Sequence, residues 1–139
     1  METMTQKDKE LLLKDLCARL DTNLVCSIYR IDDYGVGYRD EILSGYCKGD
    51  IWDEFYFGDD CGIGIDNVSK IKPYLFPMSS MTEEQKAELM ELMYKADTPF
   101  GAIFSENIDY FDWLNKHHFD YRGLIEKGLA IDATGLNVY

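Results

Sequence analysis

Leu24-Val25-Cys26-Ser27-Ile28-Tyr29-Arg30-Ile31 opens a series of short apolar, β-branched and aromatic segments. The way these segments follow one another decides the fold. The first reads as a strand, and Asp32-Asp33-Tyr34-Gly35-Val36-Gly37 as a turn or longer loop. A second strand is expected over 41–47. Gly49-Asp50 breaks it from a third over 51–57, Ile51-Trp52-Asp53-Glu54-Phe55-Tyr56-Phe57. Gly58-Asp59-Asp60-Cys61-Gly62 turns the chain again, and 63–65 is a short strand able to pair with the third. Asp66-Asn67-Val68 reads as a tight turn, and 69–75 as a last strand that Pro77 ends. Four or five short strands in this rhythm predict a small antiparallel barrel or curled sheet. An SH3-like barrel is the first choice, because the last strand follows a short turn after a hairpin pair.

Outward from this β-rich part (21–78) the pattern turns helical on both sides. Leu13, Leu16, Cys17 and Leu20 recur at i, i+3, i+4 and i+7, the stripe of an amphipathic helix over 5–20. Thr5 can cap it, Asp8 suits its N-terminus, and Asp21-Thr22-Asn23 ends it. Beyond Pro77, Ser80-x-x-Glu83 and Thr82-x-x-Gln85 are overlapping capping boxes. Leu89, Leu92, Met93 and Ala96 give the apolar face of the helix they start, and Pro99 closes it. Residues 100–104 read as a short strand or an extended connector, and 108–117 as a helix carrying Phe111 and Leu114. Asp120 can cap a last helix over 121–127, with Phe119 and Leu124 spaced as a hydrophobic staple and Gly128 at its end. The tail from Ala133 is expected to fray. The fold class is therefore α+β in a single domain, 1–139: an N-terminal helix (1–20), the β-rich part (21–78) and a helical part (79–139) with two to three helices.

Composition excludes several function classes. The chain is 46% hydrophobic and 14% aromatic, too much for a disordered protein. No apolar run approaches the roughly 20 residues of a membrane span. The polar first ten residues give no sign of a secretory signal, so a cytoplasmic protein without a membrane role is expected. Acids number 26 against 14 bases, a net charge of −12. Within 21–78 only Arg30, Arg39, Lys48, Lys70 and Lys72 are basic, against 11 acids. That balance repels phosphate backbones and disfavours nucleic acid as a partner, while it suits a basic protein surface. Cys17, Cys26, Cys47 and Cys61 contain no C-x-x-C pair, so neither a zinc site nor a disulfide is expected. The first three read as small buried hydrophobes and Cys61 as the exposed thiol.

Three stretches carry a resemblance. They are Thr5-Gln6-Lys7-Asp8-Lys9-Glu10-Leu11-Leu12-Leu13-Lys14-Asp15-Leu16-Cys17-Ala18-Arg19-Leu20, Ile71-Lys72-Pro73-Tyr74-Leu75-Phe76-Pro77-Met78-Ser79-Ser80-Met81-Thr82-Glu83-Glu84 and Phe119-Asp120-Tyr121-Arg122-Gly123-Leu124-Ile125-Glu126-Lys127-Gly128-Leu129-Ala130. In these, under half its length, the chain resembles a group of uncharacterised proteins of gut Bacteroidetes and their mobile elements or phages. The resemblance implies a cytoplasmic bacterial or phage setting. It carries no activity and no site residues.

Two constellations bear on function. His117-His118 is the only histidine pair, and adjacent residues on a helix point about 100° apart, so a shared face is not expected. They read as a helix C-terminal cap or surface pair. The competing reading is a small enzyme in which His117 or His118 works with a nearby carboxylate, Asp112 or Asp120. The other constellation is the aromatic third strand. Alternation puts Trp52, Glu54 and Tyr56 on one face and Asp53, Phe55 and Phe57 on the other. A small barrel buries one face, leaving the other to the C-terminal helices or to a partner. The function expected is non-catalytic: an accessory protein that binds a protein partner through an acidic, aromatic surface suited to a basic one and including Trp52, Asp53, Glu54 and Tyr56. No cofactor, no metal and no catalytic residue is assigned, and the sequence does not fix the oligomeric state.

Overall fold

The structure is a computed structural model that describes residues 4–32, 35–48, 53–57, 60–95 and 103–139. Helix α1 (Gln6–Ala18) begins where Thr5 Oγ1 accepts the Asp8 N–H at 3.1 Å. It ends where Asp21 and Asn23 adopt left-handed φ values of 68° and 56° and Thr22 Oγ1 donates to the Arg19 carbonyl at 2.7 Å. Its buried stripe is Leu12, Asp15, Leu16 and Arg19, one residue away from the stripe the apolar spacing predicts. The shift has a cause: Asp15 and Arg19, four apart, bond at 2.9 Å and turn inward as a pair. Cys17 is consequently exposed, contrary to expectation.

Strands β1 (Val25–Asp32), β2 (Gly35–Lys48), β3 (Asp53–Phe57) and β4 (Asp60–Gly64) form an antiparallel meander. A 3-10 turn, Ile65–Lys70, leads to β5 (Ile71–Pro77), which returns antiparallel beside β1. β2 starts earlier than expected. Asp32 pairs with Gly35, so strand pairing reaches into the expected loop from both sides, while Asp33 and Tyr34 lie outside the described residues. β2 pairs β1 along its first half and β3 along its second, with a bulge between Leu43 and Gly45. The extra residue resets alternation, so Tyr46 lies on the core side with Leu43, its ring 5.0 Å from Phe55. Without it Tyr46 would face outward.

Helices α2 (Glu83–Lys95) and α3 (Ile103–Lys116) follow. Of the two capping boxes, the Thr82–Gln85 one forms: the Thr82 N–H donates to Gln85 Oε1 at 2.9 Å and the Gln85 N–H to Thr82 Oγ1 at 3.1 Å. α3 takes in residues 103–104 of the expected connector, while 96–102 lie outside the described residues. The predicted helix over 121–127 is a turn instead. Gly123 and Gly128 take φ values of 75° and 73°, and the Asp120 carboxylate accepts the Leu124 and Ile125 N–H groups at 2.9 Å each. Two short parallel strands, β6 (Phe119–Asp120) and β7 (Ile131–Asp132), pair with the end of β5. The strand order β4-β3-β2-β1-β5-β6, with β7 also on β5, is an open path, and the sheet is mixed. Of the barrel or curled sheet expected from the sequence, the closed barrel does not form among the described residues. The end of β5 pairs with the C-terminal strands instead.

One core cluster joins Leu12 and Leu16 of α1 to Cys26, Ile28, Leu43, Phe55, Phe57, Ile71 and Leu75 of the sheet and to Leu124 and Leu129. A second gathers Met81, Leu89, Trp113, Leu114 and Phe119. Phe119 and Leu124, expected to meet as a hydrophobic staple, are thus divided between the two. A buried polar chain bridges them. Asp15 accepts from Arg19 Nε and, at 2.8 Å, from Arg122 Nη1, and Arg19 Nη2 donates to the Phe119 carbonyl at 2.6 Å. Arg122 also donates to Tyr121 Oη, which donates to Asn115 Oδ1, both at 2.8 Å.

The tail does not fray. The Ala133 N–H donates to the Leu75 carbonyl at 2.8 Å. Tyr139 Oη accepts the Val25 N–H at 3.0 Å and donates to the Tyr74 carbonyl at 2.8 Å, filling the gap where β5 leaves β1. Tyr139 is 44% exposed as a residue, yet burial of its hydroxyl end pushes its pKa up.

Candidate functional site

With α1 over the face of Cys26, Ile28, Phe55 and Phe57, alternation turns a second set of side chains to the opposite face. That set is Val25, Ser27 and Tyr29 of β1, Val36, Tyr38, Asp40 and Ile42 of β2, and Glu54 and Tyr56 of β3, with Lys72 and Tyr74 of β5. Val36 is 64% exposed, Tyr38 69%, Ile42 47% and Tyr56 38%. The Tyr38 ring meets Tyr29 edge-on at 5.2 Å, and Tyr74 Oη donates to Asp40 Oδ1 at 2.7 Å. The result is an aromatic and aliphatic strip fixed by sheet pairing, with Asp40, Glu54 and Lys72 as its charges.

Of the residues the sequence nominates, Glu54 and Tyr56 belong to this outer face. A side chain at Gly62 would collide with the Glu54 carboxylate, so glycine alone leaves Glu54 its place across β4. A hydrogen bond to Glu54 pushes the Tyr56 pKa up. Asp53 lies on the other side of the strand. Tyr46 Oη donates to its Oδ2 at 2.7 Å, and that bond holds the phenol up at about 12. Trp52 lies outside the described residues. Phe55 and Phe57 pack beneath the N-terminal helix, not the C-terminal ones. Sequence reading missed Val36, Tyr38 and Ile42. Their signal was present as strict alternation, Val36-x-Tyr38-x-Asp40-x-Ile42, but Gly35 and Gly37 disguised its first half as a turn. Cys47, expected to be buried, is exposed, while Cys26 is buried and its thiol pKa is pushed far up by burial. The Cys61 side chain lies outside the described residues.

The histidines form a separate place. α3 stops at Lys116, and His118 takes a left-handed φ of 63°. That backbone turn replaces helical geometry, so both histidines line one cavity of about 500 Å³. His118 is 9% exposed, its Nδ1 is buried without a hydrogen-bond partner, and its ring stacks on Tyr139 at 3.8 Å. Burial first, then the Arg19 charge and His117, push its pKa down to about 4, so it is neutral at pH 7. His117 leans on the Trp113 ring at 4.2 Å. Neither expected carboxylate meets them. Asp120 is engaged by backbone N–H groups, Asp112 is exposed, and among the described residues no Asp or Glu side chain lines the cavity.

Among the described residues no group of three or more His, Cys, Asp and Glu side chains is placed to hold a metal ion. No helix among them is long and apolar enough to cross a membrane. In comparisons with protein-family models, curated proteins and solved structures, nothing matches this chain.

Proposed function

We propose that the protein is a non-catalytic accessory protein that binds another protein through the outer face of its sheet. The observation that carries this reading is the solvent exposure of Val36, Tyr38 and Ile42 along one strand, with Tyr56 on the next. Rigid aromatic and aliphatic side chains on a preformed surface lose little entropy on binding and supply the anchors of protein interfaces. The surplus of acids over bases, 26 to 14, favours a partner with basic groups around an apolar centre. The same surplus argues against nucleic acid. The finer reading of the fold, an SH3-like arrangement of β1 to β5, draws support from the order β4-β3-β2-β1-β5, from β2 serving both halves and from the 3-10 turn before β5. A cytoplasmic bacterial, mobile-element or phage setting belongs to the same proposal and rests on the sequence resemblance. The alternative enzyme reading needs a carboxylate beside His117 or His118, and the lining among the described residues supplies no such side chain.

The test is photo-crosslinking in the native host. A photoreactive phenylalanine replaces Tyr38 in one strain and Met90, exposed on α2, in another. A discrete adduct at position 38 and none at 90 supports the proposal. Adducts at 90 alone, or none at either, count against it.

A further inference from the structure

The cavity beside the C-terminal end of α3 differs from the rest of the molecule in charge. The chain carries −12 overall, yet among the described residues the side chains lining this cavity include Lys116 and no Asp or Glu. Glu83 and Glu84 in the first turn of α2 are outside the lining, as is Asp132, whose Oδ1 accepts the N–H of the lining residue Thr134 at 2.9 Å. One wall is aromatic: Phe76 and Tyr139, their ring centroids 5.8 Å apart, with His118 stacked on Tyr139. The lining also includes Ser80, Thr82 and Gln85 at the start of α2, where the positive end of the helix dipole lies. A volume of about 500 Å³ is within the range of small-molecule sites. The wall also holds an unmet need. His118 sits in a left-handed conformation unusual for a side chain of its size and is nine-tenths buried, with a ring nitrogen unpartnered among the described residues.

We propose that this cavity binds a small flat organic anion of the aryl carboxylate class, with its charge beside Lys116 and its ring against the wall formed by Phe76, His118 and Tyr139. This site is separate from the sheet face proposed for protein binding and does not depend on it. The hydroxyl of Thr82 and the amide of Gln85 are the neutral donors of the lining, since the Ser80 hydroxyl already donates to the Pro77 carbonyl at 2.7 Å. Net charge alone would turn an anion away from this protein, so the affinity comes from the local lining.

Three isosteric probes decide the matter: benzoate, benzamide and benzamidine, which share a ring and differ in charge. Each is titrated into the full chain and followed by backbone amide NMR. The expected result is that benzoate gives saturable shifts at residues 80–85, 116–119 and 134–139. Benzamide should bind at least about threefold more weakly and benzamidine not at all. Lys116→Gln should weaken benzoate at least about threefold and leave benzamide unaffected, while Lys127→Gln, at a turn away from the cavity, changes neither. Benzamidine binding as well as benzoate, shifts confined to other residues, or no saturable shift with any probe at millimolar concentration would overturn the proposal.

Discussion

Asp15→Asn is the substitution whose effect the fold predicts most sharply. Asp15 stands between two guanidiniums, at 2.9 Å from Arg19 Nε and 2.8 Å from Arg122 Nη1, and the side chains of Asp15 and Arg19 are both fully buried. Arg19 keeps two other supports, the Phe119 carbonyl and the Tyr121 ring 5.2 Å away, but its Nη1 already lacks a partner. Asparagine preserves shape and removes the charge, leaving Arg19 as an uncompensated buried cation. Breaking such a pair from one side costs about 3–5 kcal/mol. Arg122 is 17% exposed and recovers part of its share through water, which places the expected loss near the lower end. For a chain of this size about 3 kcal/mol corresponds to a fall in Tm of roughly 10 °C. Urea unfolding followed by circular dichroism measures it. Replacing both partners, Asp15→Leu with Arg19→Met, should restore most of the loss, because it removes the buried charges together. A loss below about 1 kcal/mol for Asp15→Asn, or a double variant worse than the single one, would refute the reasoning.

His118 gives a pH dependence with a defined sign. Its folded pKa of about 4 lies below the unfolded value near 6.5, so the unfolded chain binds more protons between them, and stability falls as pH drops through that window, by about 3 kcal/mol in total. His118→Gln should remove that part of the slope, as read from urea midpoints at pH 7 and pH 4.5. Tyr139→Phe removes the bonds to Val25 and Tyr74 and should lower stability by about 1–3 kcal/mol in the same assay. Gly62→Ala should displace Glu54 and relieve its bond to Tyr56, seen as a lower Tyr56 pKa in an ultraviolet titration. Iodoacetamide with peptide mapping should label the exposed Cys17 and Cys47 in native protein and reach buried Cys26 only on unfolding.

Much of the order of elements was legible because it rests on local chemistry. Thr5 and the Thr82–Gln85 box mark helix starts, Pro77 ends β5, and the aromatic run ending at Phe57 marks β3. Misreadings came where distant parts of the chain override local pattern. Asp15 and Arg19 turn inward because Arg122 and the Phe119 carbonyl, a hundred residues away, complete their bonds. The 121–127 turn forms because the Asp120 carboxylate takes two backbone N–H groups that a helix would arrange otherwise. Tyr139 pins the tail through a gap between β1 and β5 that no local signal announces. The candidate face was half legible. Glu54 and Tyr56 follow from alternation alone, but Val36 and Tyr38 emerge only once the β1–β2 hairpin register is known, and the bulge after Leu43 decides which way Tyr46 points. The shared cavity of His117 and His118 depends on a single positive φ, which the residue types do not dictate.

The outer sheet face is the centre of the functional account, and one paired measurement tests it. Tagged protein is isolated from the native host in three forms: wild type, a face variant with Tyr38→Lys and Ile42→Lys, and a control with Met90→Lys and Phe111→Lys, whose parent residues are also large exposed hydrophobics, 50% and 44% exposed, but lie on the helices. Stoichiometric co-purifying protein is quantified by mass spectrometry, with melting temperature confirming that each form is folded. The account predicts a partner retained by wild type and control and lost from the face variant. A partner retained by the face variant and lost from the control would contradict it, as would the absence of any stoichiometric partner from wild type.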